Sequence, residues 1–278
     1  VPADQIAESL AYINWTVLTG LAVGSFAAVV LGRFATEATR GYLAFTVFSA
    51  AVFAALAWMA DSGLPPAATS DEFAQSTEAA RRAGLASLAV FSSLYGVELL
   101  RGHRAVPIAV AGLAAAALTL VVASFAWAPP AAPVGTLLLL VQFVSLAAAT
   151  GGVWAAMILG HWYLVTPKLP EAPLILFARV LTWVVALQLV LFVAWVVTGA
   201  GPAGIAGLGA LTGTWALFVW LRLIVGIVFP LIVSWAAIQT ARTRSMESAT
   251  GLLYINVGTI AAGTILAAGL YFGAGLLV

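Results

Sequence analysis

The chain has no cysteine among its 278 residues, only two histidines, and charged side chains at just 8 % of positions. Each scarcity excludes something. Without cysteine there is no thiolate iron–sulfur cluster, no covalently attached c-type haem, no disulfide and no cysteine-bearing zinc site. Two histidines allow at most one bis-His haem. A formal net charge of +1 leaves no basic field for nucleic acid. An ordinary soluble chain carries about 25 % charge, so this composition does not describe a water-soluble core.

What fills the chain instead is 63 % hydrophobic side chains in long uncharged runs. About 20 apolar residues cross a hydrocarbon core of about 30 Å as a helix. Eight segments come close to that length: 10–32, 41–60, 83–100, 105–128, 134–160, 172–199, 215–239 and 249–278. They are continuously apolar where barrel strands would alternate. The expected fold is an all-α integral membrane protein of eight spans in contact with the lipid bilayer.

The charges that remain fall in alternating loops. Arg33, Arg40, Arg101, Arg104, Lys168, Arg242 and Arg244 share one side with Arg179, whereas Arg81 and Arg82 lie on the other. The positive-inside rule then puts both termini outside a cell (inner) membrane. Val1 is not Met, so an upstream piece is expected. Residues 61–82 form the largest outside segment. Thr69 with Glu72 predicts a capping box there, opening a helix that enters span 3 directly or bends at Gly84.

Residues 24–34 (GSFAAVVLGRF) match residues 152–162 (GVWAAMILGHW) without a gap, with five identities in eleven positions. The match predicts two four-helix repeats, 1–128 and 129–278, which an even span count makes parallel. Arg33 is then the counterpart of His161.

His161, Trp162 and Tyr163 close span 5. They read either as an interfacial aromatic belt or as a quinone-headgroup site, in which imidazole and phenol bond the carbonyls and indole covers the ring. Imidazole titrates near neutral pH and suits proton delivery. His103 belongs most simply to the basic turn between spans 3 and 4. A haem b held by His103 and His161 is geometrically conceivable but not favoured, and nothing singles out Met59, Met157 or Met246 as axial ligands.

Arg222 is the deepest charge in the sequence. It either snorkels outward beside Trp220 or stays inside with Asp61 as its natural partner. Glu98 reads as a local pair with Arg101 or as a relay carboxylate, and Pro230 interrupts span 7. The glycines of span 8, including Gly258, Gly263, Gly269, Gly273 and Gly275, offer a small-residue face to other chains.

The eight-span, two-by-four-helix plan is similar, in architecture alone, to the quinone-interacting anchors of polysulfide-reductase-type oxidoreductases. That resemblance implies a membrane-anchor subunit of a respiratory or photosynthetic-type electron-transfer complex, with other membrane and redox subunits as partners. The alternatives are a small-solute transporter or channel, and a purely structural or assembly subunit.

Overall fold

The computed structural model describes residues 2–66, 71–128, 133–166, 168–205 and 208–278. Among them, eight helices are long and apolar enough to cross a membrane, and no strand occurs. A hydrocarbon core offers no partner to a peptide N–H or C=O, so a chain this apolar satisfies its backbone inside each helix.

A short helix α1 (Pro2–Glu8) leads into α2 (Leu10–Ala35), α3 (Arg40–Asp61), α4 (Glu72–Arg101) and α5 (Val106–Trp127). The second set begins with α6 (Pro133–Val165) and α7 (Ala172–Thr198). Next come α8 (Ala216–Leu223) and α9 (Phe229–Arg242), one span joined by a π-helical turn at Ile224–Val228, and then α10 (Met246–Ala274). Gly273, late in α10, lies against Gln5 of α1, which defines a terminal face. The ends of α2, α4, α6 and α9 make the opposite loop face.

Local chemistry sets the helix ends. Asp71 caps α4 by accepting a hydrogen bond from the Ala74 N–H at 3.1 Å. The expected cap Thr69 lies outside the described residues. α4 continues through Gly84 as a single helix, because that glycine serves contact and not bending. A Cβ there would stand 2.4 Å from Thr119 Oγ1 on α5. α4 and α7 each end on a left-handed glycine, Gly102 and Gly199. The following N–H then reaches back five residues, His103 to the Glu98 carbonyl and Ala200 to that of Trp195. α9 ends the same way, except that the left-handed residue is Arg244, at φ 59°.

α2–α5 pack side by side, and α6–α10 close into a second bundle. The bundles meet along α2 and α6, flanked by α10 against α2 and α5 against α6. At the crossing the backbones touch. A Cβ on Gly24 would lie 1.8 Å from the Ala147 carbonyl oxygen, and one on Gly151 would lie 2.2 Å from Ser25 N. Helices in lipid are held by such close contact of small residues, because lipid is as apolar as leucine. The outward stripe of α7, through Trp183, Leu187, Val190, Val193 and Val197, is correspondingly exposed.

Most of the span 8 glycines pack within the molecule instead of offering a face to other chains. Gly263 meets Gly226, Gly269 faces Ile13, Gly273 faces Gln5 and Trp215, and Gly275 is the left-handed end of α10. These positions are used inside the molecule. Gly258 has open space before it.

Candidate functional site

Two arginines are buried among the helices, and they are treated differently. Arg81 of α4 meets Asp61 at the end of α3. Its Nε donates to Oδ1 at 2.6 Å and its Nη2 to Oδ2 at 3.2 Å, the two-pronged geometry suited to a carboxylate. Arg82 adds a second cation 3.8 Å from Oδ2. Trp127 of α5 covers the Arg81 guanidinium at 5.0 Å, and Trp58 covers Arg82 at 5.1 Å. The Trp127 carbonyl accepts the Tyr271 hydroxyl from α10 at 3.1 Å. One carboxylate thus organises the terminal-face ends of four helices.

Arg222 of α8 does not snorkel; it is 3 % exposed, while Trp220 turns its own Nε1 to the Leu211 carbonyl. Nor is Asp61 its partner, since Arg81 and Arg82 hold that carboxylate. Among the described residues no acidic side chain pairs with Arg222. Its acceptors are Gly226 O at 3.1 Å, Gln188 Oε1 at 3.2 Å and Val278 O at 3.5 Å. Pro230 explains the first, because it has no N–H to offer the carbonyl four residues back, which is that of Gly226. The guanidinium takes up the oxygen that proline leaves free, at the π-helical turn. Gln188 is held in turn by donating Nε2 to the Ser145 carbonyl at 2.9 Å.

Neutral amides inside the spans are as much a part of this interior as the charges. Besides Gln188, Asn256 donates to Ser234 Oγ at 2.8 Å, and the Thr150 and Thr264 hydroxyls share a hydrogen at 2.8 Å. Gln142 is buried with neither amide atom partnered within the protein. The signal was present, since an amide inside an apolar run is as anomalous as an arginine.

At the loop face, His161, Trp162 and Tyr163 lie in the last turn of α6. Consecutive helical residues point about 100° apart, and the structure does not bring the three together. Tyr163 is buried and its hydroxyl donates to the Pro170 carbonyl. Trp162 lies over Gly41, at the start of α3. His161 is exposed, with Nδ1 3.3 Å from the Tyr254 hydroxyl on α10 and the rings perpendicular. The phenol beside the imidazole is therefore Tyr254, which the sequence reading missed because it lies on another helix. Arg33, the sequence counterpart of His161, has a buried Nε with no hydrogen-bond partner.

Glu98 pairs with Arg101 at 2.7 Å as expected, and its second oxygen meets His103 Nδ1 at 2.6 Å. The two histidines thus have different neighbours. Among the described residues no group of three or more metal-ligating side chains stands together.

Nearby, Glu171 accepts from Arg244 Nη2 at 2.8 Å and Nε at 3.2 Å, linking two loops. The Arg244 hydrogen bond holds the Glu171 carboxyl below its usual range. A carboxyl depressed in the folded state stabilises above its unfolded pKa, and the benefit is lost as pH falls through the folded value. Arg244 is exposed and Glu171 is about one-third exposed, so the effect is small. Thermal unfolding of wild type and Glu171→Gln should differ slightly at pH 7 and converge in acid; a difference that grows on acidification contradicts this sign.

No family model, curated protein or solved structure matches the chain.

Proposed function

We propose that the chain is a membrane subunit of a respiratory or photosynthetic-type electron-transfer complex and that it receives a quinone headgroup at His161 and Tyr254. The observation that carries this reading is the exposed imidazole–phenol pair on neighbouring helices, with Trp162 adjacent in sequence. Both rings hydrogen-bond a carbonyl readily, and both can pass a proton. Reduction of a quinone to a quinol takes two electrons and two protons. The electrons would come from a redox partner subunit and the protons from water at the loop face through these side chains.

The basic loops favour a cytoplasmic loop face, with both termini outside. The chain is then a fixture of the cell (inner) membrane whose partners dock at its ends. Within it, 1–128 and 129–278 read as two parallel copies of one four-helix unit. Three features support that reading. The matched segments lie at the α2–α6 crossing, and the flanking contacts, α10 on α2 and α5 on α6, exchange between copies. The Asp61–Arg81 link between α3 and α4 has a counterpart in Gln188–Arg222 between α7 and α8. One copy pairs its arginine with a carboxylate; the other gives it an amide oxygen as acceptor. Transport has less support, because Arg222 directs its donors to fixed acceptors.

The test is quinone extraction from the purified assembly. His161→Ala and Tyr254→Phe should each lower bound quinone and quinone-dependent turnover, by about tenfold for one lost hydrogen bond of about 1.4 kcal/mol. Unchanged quinone content in both variants rejects the site.

A further inference from the structure

α2 and α7 both pack on α6 or its neighbours and leave a seam between them. Ala27, Ala28 and Leu31 line it from α2, and Val180, Leu181 and Val184 from α7, around a hollow of about 130 Å³. Toward the loop face lies a wider hollow of about 360 Å³, between Ala35, Thr36 and Glu37 on one side and Pro170, Pro173 and Leu176 on the other. On α2 the lining positions recur every three or four residues from 24 to 35, as one helical face does. At 1.5 Å per residue they extend over about 16 Å. That is about half of a 30 Å hydrocarbon core, the depth of one leaflet.

The seam on the other side of α6 is closed. There Trp154 donates Nε1 to Ser49 Oγ of α3 at 3.0 Å and packs on Phe53. Tyr42 donates to the Ala155 carbonyl at 3.0 Å, and Trp162 covers Gly41. α2 presents alanines to its seam instead, and the groove opens to the bilayer beside the exposed Ala27 and Val180.

The mouth carries charge of both signs, with Glu37 in the lining of the wider hollow and Arg179 on the α7 face that borders it. Arg179 is exposed and pairs with no acidic side chain among the described residues. It shares a helical face with Ala172 and Leu176, which line the wider hollow. Helical side chains lean toward the helix N-terminus, which for α7 is the loop face. An arginine set about 10 Å down the helix snorkels that way, to the level of lipid phosphates. We propose that the α2–α7 groove seats one acyl chain of a bilayer phospholipid, with its phosphate on Arg179.

The experiment is native mass spectrometry of the full chain, purified in mild detergent and supplied with dioleoyl phosphatidylglycerol. Wild type should retain one lipid. Ala27→Trp, which fills the groove, and Arg179→Gln should each reduce retention about tenfold, whereas Leu118→Trp, on the exposed surface of α5, should not. Ala27→Leu provides a smaller filling if the tryptophan variant does not fold. Failure of wild type to retain the lipid, or equal retention by both Ala27 variants, overturns the proposal. Equal retention of dioleoylglycerol, which lacks the phosphate, removes the role given to Arg179.

Discussion

Asp61→Ala is expected to destabilise the fold by about 3–5 kcal/mol, because it strands a buried cation. The Asp61 side chain is fully buried and that of Arg81 only 6 % exposed. Without the carboxylate, Arg81 keeps the Trp127 face but loses both hydrogen bonds, and Arg82 is left beside it with like charge. The loss should spread, since Trp127 connects this cluster to α10 through Tyr271. Arg81→Met should cost less, as Arg82 remains within 3.8 Å of Asp61. The double variant Asp61→Leu/Arg81→Met should recover most of the stability, since an apolar pair of similar volume often replaces a buried ion pair without loss. Arg222→Met is the instructive comparison. It removes a buried charge that no acidic side chain pairs with, so relief from desolvation offsets the stranded Gly226, Gln188 and Val278 oxygens. Its unfolding free energy should stay far closer to wild type than that of Asp61→Ala. Unfolding in detergent by heat or by SDS titration measures all four variants. An Asp61→Ala protein within about 1 kcal/mol of wild type would mean that the pair is not what joins α3 to α4.

The sequence could be read for its spans because the signal for a membrane helix is cumulative: each of eight runs adds many apolar residues, and no single one decides. The candidate site depends on single residues and on helix phase, which a linear sequence does not display. Tyr163 follows Trp162 and His161 in sequence, but the 100° step carries its hydroxyl away to Pro170, and the phenol near His161 comes from α10. Asp61 seemed the natural partner for Arg222 because both were charges near one face. The nearer arginine on the next helix held it, and Gln188 met Arg222 instead. Proline at 230 announced a break, but the π-helical turn and the arginine that fills the vacated hydrogen bond could be seen only with the α8–α9 span folded against α7 and α10. The orphaned amide of Gln142 shows the same limit. Composition exposes an anomalous residue inside a span, while its partners come from other helices.

Gly24→Leu should have the second large effect, and adjacent glycines on α6 supply its control. Aligned by sequence, Gly24 matches Gly152, yet the glycine that meets α2 is Gly151. A Cβ on Gly151 would stand 2.2 Å from Ser25 N and 2.5 Å from Gly24 Cα, whereas one on Gly152 would meet nothing within 4 Å. At Gly24 the obstacle is a carbonyl oxygen in the opposing backbone, at 1.8 Å, so no rotamer change relieves it and the helices must part. Parting them opens the interface that holds the two bundles together, so the cost should lie above the usual overpacking range of about 1–3 kcal/mol. Gly24→Leu is therefore expected to be recovered poorly and to unfold well below wild type. Gly151→Ala should behave likewise even with a single added carbon. Gly152→Ala, one residue away in the same helix, should leave stability unchanged or raise it by up to about 1 kcal/mol through its better helix propensity. Expression level and melting temperature of the three variants are enough to decide. If Gly151→Ala and Gly152→Ala melt together, the α2–α6 crossing is not where the bundles are held.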